Sequence, residues 1–197
     1  MTLLLASKSE TRRRMLEEAG VRFELASADL DEDKAKNSLV EAGLAPVEIA
    51  DRLAELKGIS VAAPLDSLVL GSDQTLETAD GRLLSKPRSR EHAREQLMAL
   101  AGRTHWLHSA AVIVTEGRRL WGASESVAMR MRPFGNGFVE HYLDREYEHV
   151  RWNVGAYRIE GMGVQLFDSI EGSHFAILGL PLLPLLAFLR AQGALQA

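Results

Sequence analysis

The chain has 197 residues, of which 46% are hydrophobic and 25% are charged, and this composition is typical of one globular domain. Its formal net charge of −4 gives no electrostatic reason to expect nucleic-acid binding. Cysteine is absent, which excludes a disulfide scaffold, a thiol nucleophile and a cysteine-based zinc site. The longest apolar run, 177–189, is interrupted by glycine and proline and is too short to cross a bilayer. We therefore expect a cytoplasmic protein that contacts neither nucleic acid nor a membrane.

The first half of the chain alternates between strand and helix patterns. Residues 3–6 predict an apolar strand, and Ser9 is expected to cap a helix that ends at Gly20. The further elements expected here are a strand at 21–27, a loop at 29–36, a helix from Pro46 to Gly58, and a strand at 67–70 that leads into Gly71-Ser72-Asp73-Gln74.

The second half continues the mixed pattern. The expected elements are a turn at 79–82, a helix capped by Ser89, a hairpin of strands that turns at Glu116-Gly117, a helix capped by Asn136, strands at 157–160 and 164–170, and a last helix opened by Pro181. Together these elements predict a mixed α/β fold in a single domain, residues 1–197.

Polar residues follow the first predicted strand, at the start of the first helix. A helix N-terminus attracts anions, and Ser7 and Arg12 would add a hydroxyl and a guanidinium to it. Because successive residues are about 100° apart around a helix, at most two of the arginines at 12–14 can face one ligand. The spacing is compatible both with a phosphate site and with a capped helix that carries solvated arginines.

Three further groups of charged residues are candidates for a ligand or metal site. Asp73 follows an apolar strand and is expected at its carboxyl end, where α/β proteins bind ligands, although it also suits a turn. Pro87 restricts Lys86 to extended backbone and so fixes its direction. The acidic residues at 31–33 are either solvated or part of a Mg²⁺ site with another carboxylate. HExxH, GxSxG and P-loop motifs are absent from the sequence.

Taken in order, these segments resemble the Maf (septum formation protein) family over nearly the whole chain. The matching pieces are LASKS-x-x-R from Leu5, Asp31-Glu32, Leu53-Ala54-x-x-Lys57, Gly71-Ser72-Asp73-Gln74, Lys86-Pro87, Gly102-Arg103-x-His105, Gly155-Ala156-Tyr157-x-x-Glu160-Gly161, Ile170-Glu171-Gly172 and Gly179-Leu180-Pro181. Glu10 departs from the pattern, because the family usually has proline there.

The resemblance implies an elongated α/β fold with a mixed sheet, flanking helices and two lobes around a central cleft, commonly in a homodimer. It implies a nucleoside triphosphate pyrophosphatase that releases a nucleoside monophosphate and pyrophosphate with a divalent metal, Mg²⁺ or Mn²⁺. The roles it assigns are proton acceptor for Asp73, phosphate binding for Ser7, Arg12, Lys57 and Lys86, and metal binding for Glu32 and Asp73.

Three positions distinguish branches of the family by substrate base. Gln74 and Glu160 resemble the branch that acts on 7-methyl-GTP, whereas the pyrimidine-specific branch has Thr and Gln at those positions. Thr11 matches neither the arginine of the pyrimidine branch nor the aromatic residue of the other. A carboxylate at 160 can accept both N1–H and N2–H₂ of guanine, which predicts a preference for guanine or 7-methylguanine nucleotides.

Two other functions fit the same residues. One is a nucleotide-binding regulator of cell division without turnover, which would not need Asp73 as a base. The other is a metal-dependent phosphohydrolase of another kind, such as a nucleotide monophosphatase, whose product would be inorganic phosphate.

Overall fold

The computed structural model describes residues 2–196 and has a seven-stranded mixed sheet flanked by helices. The strands are β1 Leu3–Ala6, β2 Glu24–Leu25, β3 Leu68–Glu77, β4 Leu83–Leu84, β5 Thr104–Thr115, β6 Arg118–Met131 and β7 Phe167–Glu171. The helices are α1 Glu10–Glu18, α2 Glu32–Glu41, α3 Pro46–Ile59, α4 Arg90–Leu100, α5 Asn136–Val150, α6 His174–Ile177 and α7 Leu182–Ala191, with short 3₁₀ helices at Val154–Ala156 and Met162–Leu166.

The sheet has the order β2-β1-β3-β5-β6-β7, and β4 pairs with the far end of β3. β1 runs parallel to both β2 and β3, whereas β4 and β7 pair antiparallel with β3 and β6. The chain therefore has the mixed α/β fold that the sequence predicts. Among residues 2–196, no helix combines the length and the apolar character that crossing a membrane requires.

The chain divides into two compact units. The first unit holds the chain up to Gln74, His108–Ser126 and the chain from Ser173 onward, and the second holds Thr75–Leu107 and Val127–Gly172. The arrangement of two lobes around a cleft, and the single-domain description, stay predictions.

The first unit has an apolar layer on each face of its strands, because successive side chains of a strand point to opposite faces. Leu3 and Leu5 of β1 pack in one layer with α1 and α7. Leu4 and Ala6 pack in the other layer, where small alanines of α3 lie against the sheet. The layer under α3 is thin, and this allows α3 to approach the strands closely.

The second unit packs α4 against α5. Leu97 and Tyr142 are buried there. Arg90 of α4 donates hydrogen bonds of 2.7 Å to Glu140 and to Asp144 of α5. Buried His105 lies in this unit, with its Nε2 at 2.8 Å from the hydroxyl of Tyr157.

Several local predictions are confirmed. They are the strand at 3–6, the Ser9 and Ser89 caps, the turn at 79–82, the hairpin turn at 116–117 and the last helix after Pro181.

Other local predictions are wrong. α2 begins at Glu32, inside the stretch 29–36 that the sequence predicts as a loop. The helix starts there because the side chain of Asp31 accepts a hydrogen bond from Lys34 N, and because acidic residues in the first turn are favoured by the positive end of the helix dipole. No strand forms at 157–160, where the described chain has coil and turn instead. Asn136 is the first residue of α5, and the cap position belongs to Gly135.

Candidate functional site

The site begins where β1 ends beside β3. The parallel register pairs Ala6 with Gly71, which is the last pair between the two strands. The sequence predicted Asp73 at the carboxyl end of its strand. This prediction is wrong, because β3 continues to Glu77 and Asp73 lies inside the strand. Asp73 nevertheless lies past the carboxyl end of β1, and the polar turn that starts at Ser7 leaves the sheet at the same place.

The turn after β1 leads directly into α1 and brings Arg12 inward. Ser7 Oγ accepts a hydrogen bond from Ser9 N at 3.2 Å, and Ser9 Oγ accepts one from Arg12 N at 3.3 Å. Arg13 forms an ion pair with Glu10 on the exposed side of the helix. Of these two arginines, therefore, only Arg12 faces the protein interior, because successive residues of a helix point about 100° apart.

Arg12 is 9% exposed and its guanidinium is held by neutral oxygens. Its Nε donates to the carbonyl of Gly179 at 2.8 Å, and its Nη1 donates to the carbonyl of Ser72 at 2.9 Å and more weakly to Ser7 Oγ at 3.4 Å. Burial lowers the pKa of Arg12 from its ordinary value, and the charges of Asp73 and Glu32 oppose this shift. A guanidinium fixed in this way keeps a positive charge available to an anion.

A close contact between α3 and β3 positions Lys57. A Cβ on Gly71 would lie only 2.0 Å from the carbonyl oxygen of Ala54, so only glycine allows the helix to approach so closely. Lys57 follows Ala54 by three residues on the same helix face, and Asp73 follows Gly71 by two on the same strand face. The contact therefore brings Lys57 Nζ to 2.5 Å from Asp73 Oδ1.

Glu32 completes this group from the first turn of α2. Its Oε2 lies 3.0 Å from Lys57 Nζ. The side chain of Lys57 is 7% exposed, that of Asp73 is 14% exposed and that of Glu32 is 54% exposed. Lys57 is thus a nearly buried ammonium shared by two carboxylates, one internal and one facing solvent.

Gln74 also belongs to this region, but through its amide nitrogen. Its Nε2 donates to Ser109 Oγ and to the carbonyl oxygen of Ala176, each at 2.9 Å, and to that of Ile177 at 3.0 Å. Those carbonyl groups belong to α6, a helix that the sequence did not predict. The predicted role of Gln74 in substrate specificity stays a prediction.

The remaining predicted site residues are Thr11, Lys86 and Glu160. Thr11 is half-buried in the first turn of α1. Lys86 and Glu160 are exposed and belong to the second unit. The phosphate role of Lys86 and the base role of Glu160 therefore stay predictions.

Two serines of the network were not predicted from the sequence as functional residues. Ser72 Oγ donates to the carbonyl oxygens of Ala110 at 2.8 Å and Gly179 at 3.0 Å, and Ser109 Oγ donates to that of Ala176 at 2.6 Å. Both side chains are fully buried. The signal that could have found Ser109 is a polar residue at the start of the apolar run 110–114 of β5.

A family model described as Maf-like protein matches residues 2–192 of this chain. The chain belongs to the Maf family. This Maf-family chain is 48% identical over 191 residues to the nucleoside triphosphate pyrophosphatase of Caulobacter vibrioides, covering 97% of this chain and 96% of that one. It is 45% identical over 194 residues to the protein of the same name from Sphingopyxis alaskensis, covering 98% of each. It is also 44% identical over 191 residues to the 7-methyl-GTP pyrophosphatase of Brucella abortus, covering 96% of each.

Proposed function

We propose that this Maf-family chain is a hydrolase that splits a nucleoside triphosphate between its α- and β-phosphates, releasing a nucleoside monophosphate and pyrophosphate. The names of the Caulobacter and Brucella relatives support this activity. The observation that carries the proposal is the contact of Lys57 with both Asp73 and Glu32, next to the buried guanidinium of Arg12. This group offers positive charge for a polyphosphate and a carboxylate that can act as a base.

Arg12, Lys57 and the start of α1 form the phosphate-binding part of the proposal. Ser7 adds a hydroxyl, and Lys86 is proposed as a further cation. A triphosphate carries up to about four negative charges, so several positive groups are needed to neutralise it and to hold it for in-line attack. Arg12 is preorganised for this work, because its three hydrogen bonds fix the guanidinium before a ligand arrives.

Asp73 is proposed to accept the proton of the attacking water. Lys57 contacts its Oδ1, which holds the carboxylate in place and leaves Oδ2 for other interactions. Lys57 therefore orients the base and also contributes charge near the phosphates. Proton transfer to a positioned carboxylate is general base catalysis.

The carboxylates of Glu32 and Asp73 are chemically suited to a divalent cation. Mg²⁺ and Mn²⁺ prefer hard oxygen ligands, and Mg²⁺ is commonly held by one or two carboxylates together with substrate phosphates. Both carboxylates already converge on one cationic group, the ammonium of Lys57. Within residues 2–196, no group of three or more His, Asp or Glu side chains is placed to hold a metal ion by itself. A bound cation would supply charge neutralisation and a more acidic water.

The substrate proposed is a guanine nucleotide, with 7-methyl-GTP as one candidate. Glu160 would accept hydrogen bonds from N1–H and N2–H₂ of guanine, and the positive charge of 7-methylguanine would strengthen them. Thr11 and Gln74 are the other two positions that distinguish the family branches. We also expect a cytoplasmic homodimer.

Product identification with a panel of nucleotides tests this proposal. The purified protein is incubated with GTP, 7-methyl-GTP, UTP and dTTP, with Mg²⁺ and without it. We expect one pyrophosphate for each monophosphate formed, only with metal, and fastest with a guanine substrate. Release of inorganic phosphate would instead indicate another phosphohydrolase, and binding without any product would indicate a regulator.

A further inference from the structure

Two polar side chains, Gln74 of β3 and Ser109 of β5, bind the backbone of the short helix α6. Ser109 Oγ donates to the carbonyl of Ala176 at 2.6 Å and accepts from Gln74 Nε2 at 2.9 Å. Gln74 Nε2 also donates to the carbonyls of Ala176 and Ile177. An amide group has two hydrogens, so the three acceptors around this nitrogen use its whole donor capacity.

The segment held in this way ends at Gly179, which contacts Arg12. Gly179 has φ of +97°, a conformation that suits glycine, and it turns its carbonyl toward the guanidinium. This carbonyl accepts from Arg12 Nε at 2.8 Å and from Ser72 Oγ at 3.0 Å. The position of the guanidinium therefore depends on where the segment after α6 lies.

We propose that Ser109 and Gln74 are positioning residues for the phosphate site, which act on Arg12 through the segment 176–179. This inference rests on the phosphate-binding role of Arg12 in the proposed function. A buried cation that must meet a polyphosphate in one geometry benefits from supports that are themselves fixed by hydrogen bonds. Ser109 is fully buried and can act only through such neighbours.

The same contacts explain how Gln74 can matter to the reaction without contacting the base. Its donor nitrogen is fully used by Ser109 and the two carbonyl groups of α6. Threonine, which has a shorter side chain and one hydroxyl hydrogen, cannot make these three contacts from the same position. A substitution of Gln74 therefore removes hydrogen bonds that hold α6 in place.

The test measures inhibition by pyrophosphate, which carries phosphates but no base. The variants are Ser109→Ala and Gln74→Met, and Arg12→Gln serves as the reference for loss of the phosphate contact. Ser126→Ala is the matched control, because Ser126 is an exposed serine in the same unit whose hydroxyl pairs with His108 Nδ1 at 2.7 Å. The inhibition constant of pyrophosphate and kcat and KM for GTP, UTP and dTTP are measured for each protein.

We expect Ser109→Ala and Gln74→Met to raise the inhibition constant of pyrophosphate by about three- to tenfold, the cost of one net hydrogen bond. KM should rise by the same factor for all three nucleotides, since their phosphates are identical, and Ser126→Ala should behave as wild type. Because Gln74 is half-buried, Gln74→Met provides the measurement even if Ser109→Ala does not fold.

Three results would overturn this inference. Unchanged pyrophosphate inhibition in Ser109→Ala and Gln74→Met, with Arg12→Gln impaired, would contradict the positioning role and leave the proposed function intact. Unchanged inhibition in Arg12→Gln would contradict the phosphate role of Arg12, and with it both proposals. A KM change in Gln74→Met that is confined to GTP would show that this side chain acts on the base.

Discussion

Lys57 Nζ lies 2.5 Å from Asp73 Oδ1, and this ion pair links α3 to β3 beside the tight contact between Ala54 and Gly71. The pair is nearly buried, with 7% of the Lys57 side chain and 14% of the Asp73 side chain exposed. It joins the proposed general base to a proposed phosphate-binding cation.

Asp73→Asn should abolish turnover and leave the fold intact. Asparagine keeps the shape of the side chain but removes the base and one charged ligand for a cation. Loss of a general base costs about 10²–10⁴-fold in rate. The measurement is kcat for pyrophosphate release, with circular dichroism as the check on folding. A variant that kept most of its kcat would show that Asp73 has no role as a base.

Activity should depend strictly on a divalent cation. Chelation by EDTA should stop pyrophosphate release, and Mg²⁺ or Mn²⁺ should restore it, because the proposed metal site of Glu32, Asp73 and substrate phosphates would consist of hard oxygen ligands. Glu32→Gln should raise the Mg²⁺ concentration needed for half-maximal activity. Full activity in metal-free buffer would contradict the role of both carboxylates.

Glu160→Gln should reduce selectivity for guanine. A charged contact to two donors contributes roughly 1.5–3 kcal/mol, so kcat/KM for GTP and 7-methyl-GTP should fall by about tenfold to a hundredfold. UTP and dTTP should change little, since they present one N3–H between two carbonyl groups. An equal change for all four nucleotides would mean that Glu160 does not contact the base.

Gly71→Ala should destabilise the protein and reduce its activity. The added Cβ would lie 2.0 Å from the carbonyl oxygen of Ala54, so α3 must move away and carry Lys57 from Asp73. Overpacking of this kind costs about 1–3 kcal/mol or more in the free energy of unfolding. Gly137→Ala is the control, because its Cβ would meet nothing within 4 Å and it lies in helix α5. Wild-type stability in Gly71→Ala would show that the contact is not tight in solution.

His105 should make the free energy of unfolding depend on pH between about 4 and 6.5. Burial lowers the pKa of His105 to about 4, whereas the unfolded chain has the ordinary value of 6.5. As the pH falls through this range the unfolded state binds the proton first, so stability decreases by up to about 3 kcal/mol.

Urea unfolding at pH 7.5, 5.5 and 4.5 measures this effect as the difference between wild type and His105→Gln. The variant should lose less stability than wild type as the pH falls. His141→Asn, which changes an exposed histidine, should retain the wild-type dependence. Parallel curves for wild type and His105→Gln would contradict the prediction.

Local chemistry determined much of this protein from sequence alone. Apolar runs of strand length gave β1 and the hairpin of β5 and β6, and serine caps gave the starts of α1 and α4, because these features depend on neighbouring residues. Helical spacing likewise limited how many of the arginines at 12–14 could face one ligand. The order of motifs identified the family, since each motif keeps its place along the chain.

Tertiary structure decided how the site is assembled. Sequence could not show that Gly71 admits Ala54 and so brings Lys57 to Asp73, because that approach depends on backbone atoms that are 17 residues apart in the chain. It also could not show that Gln74 and Ser109 hold α6, since four isolated residues make too few hydrogen bonds to form a helix without tertiary support. Sequence supplied the charged groups of the site, and close packing of helix on sheet determined which of them meet.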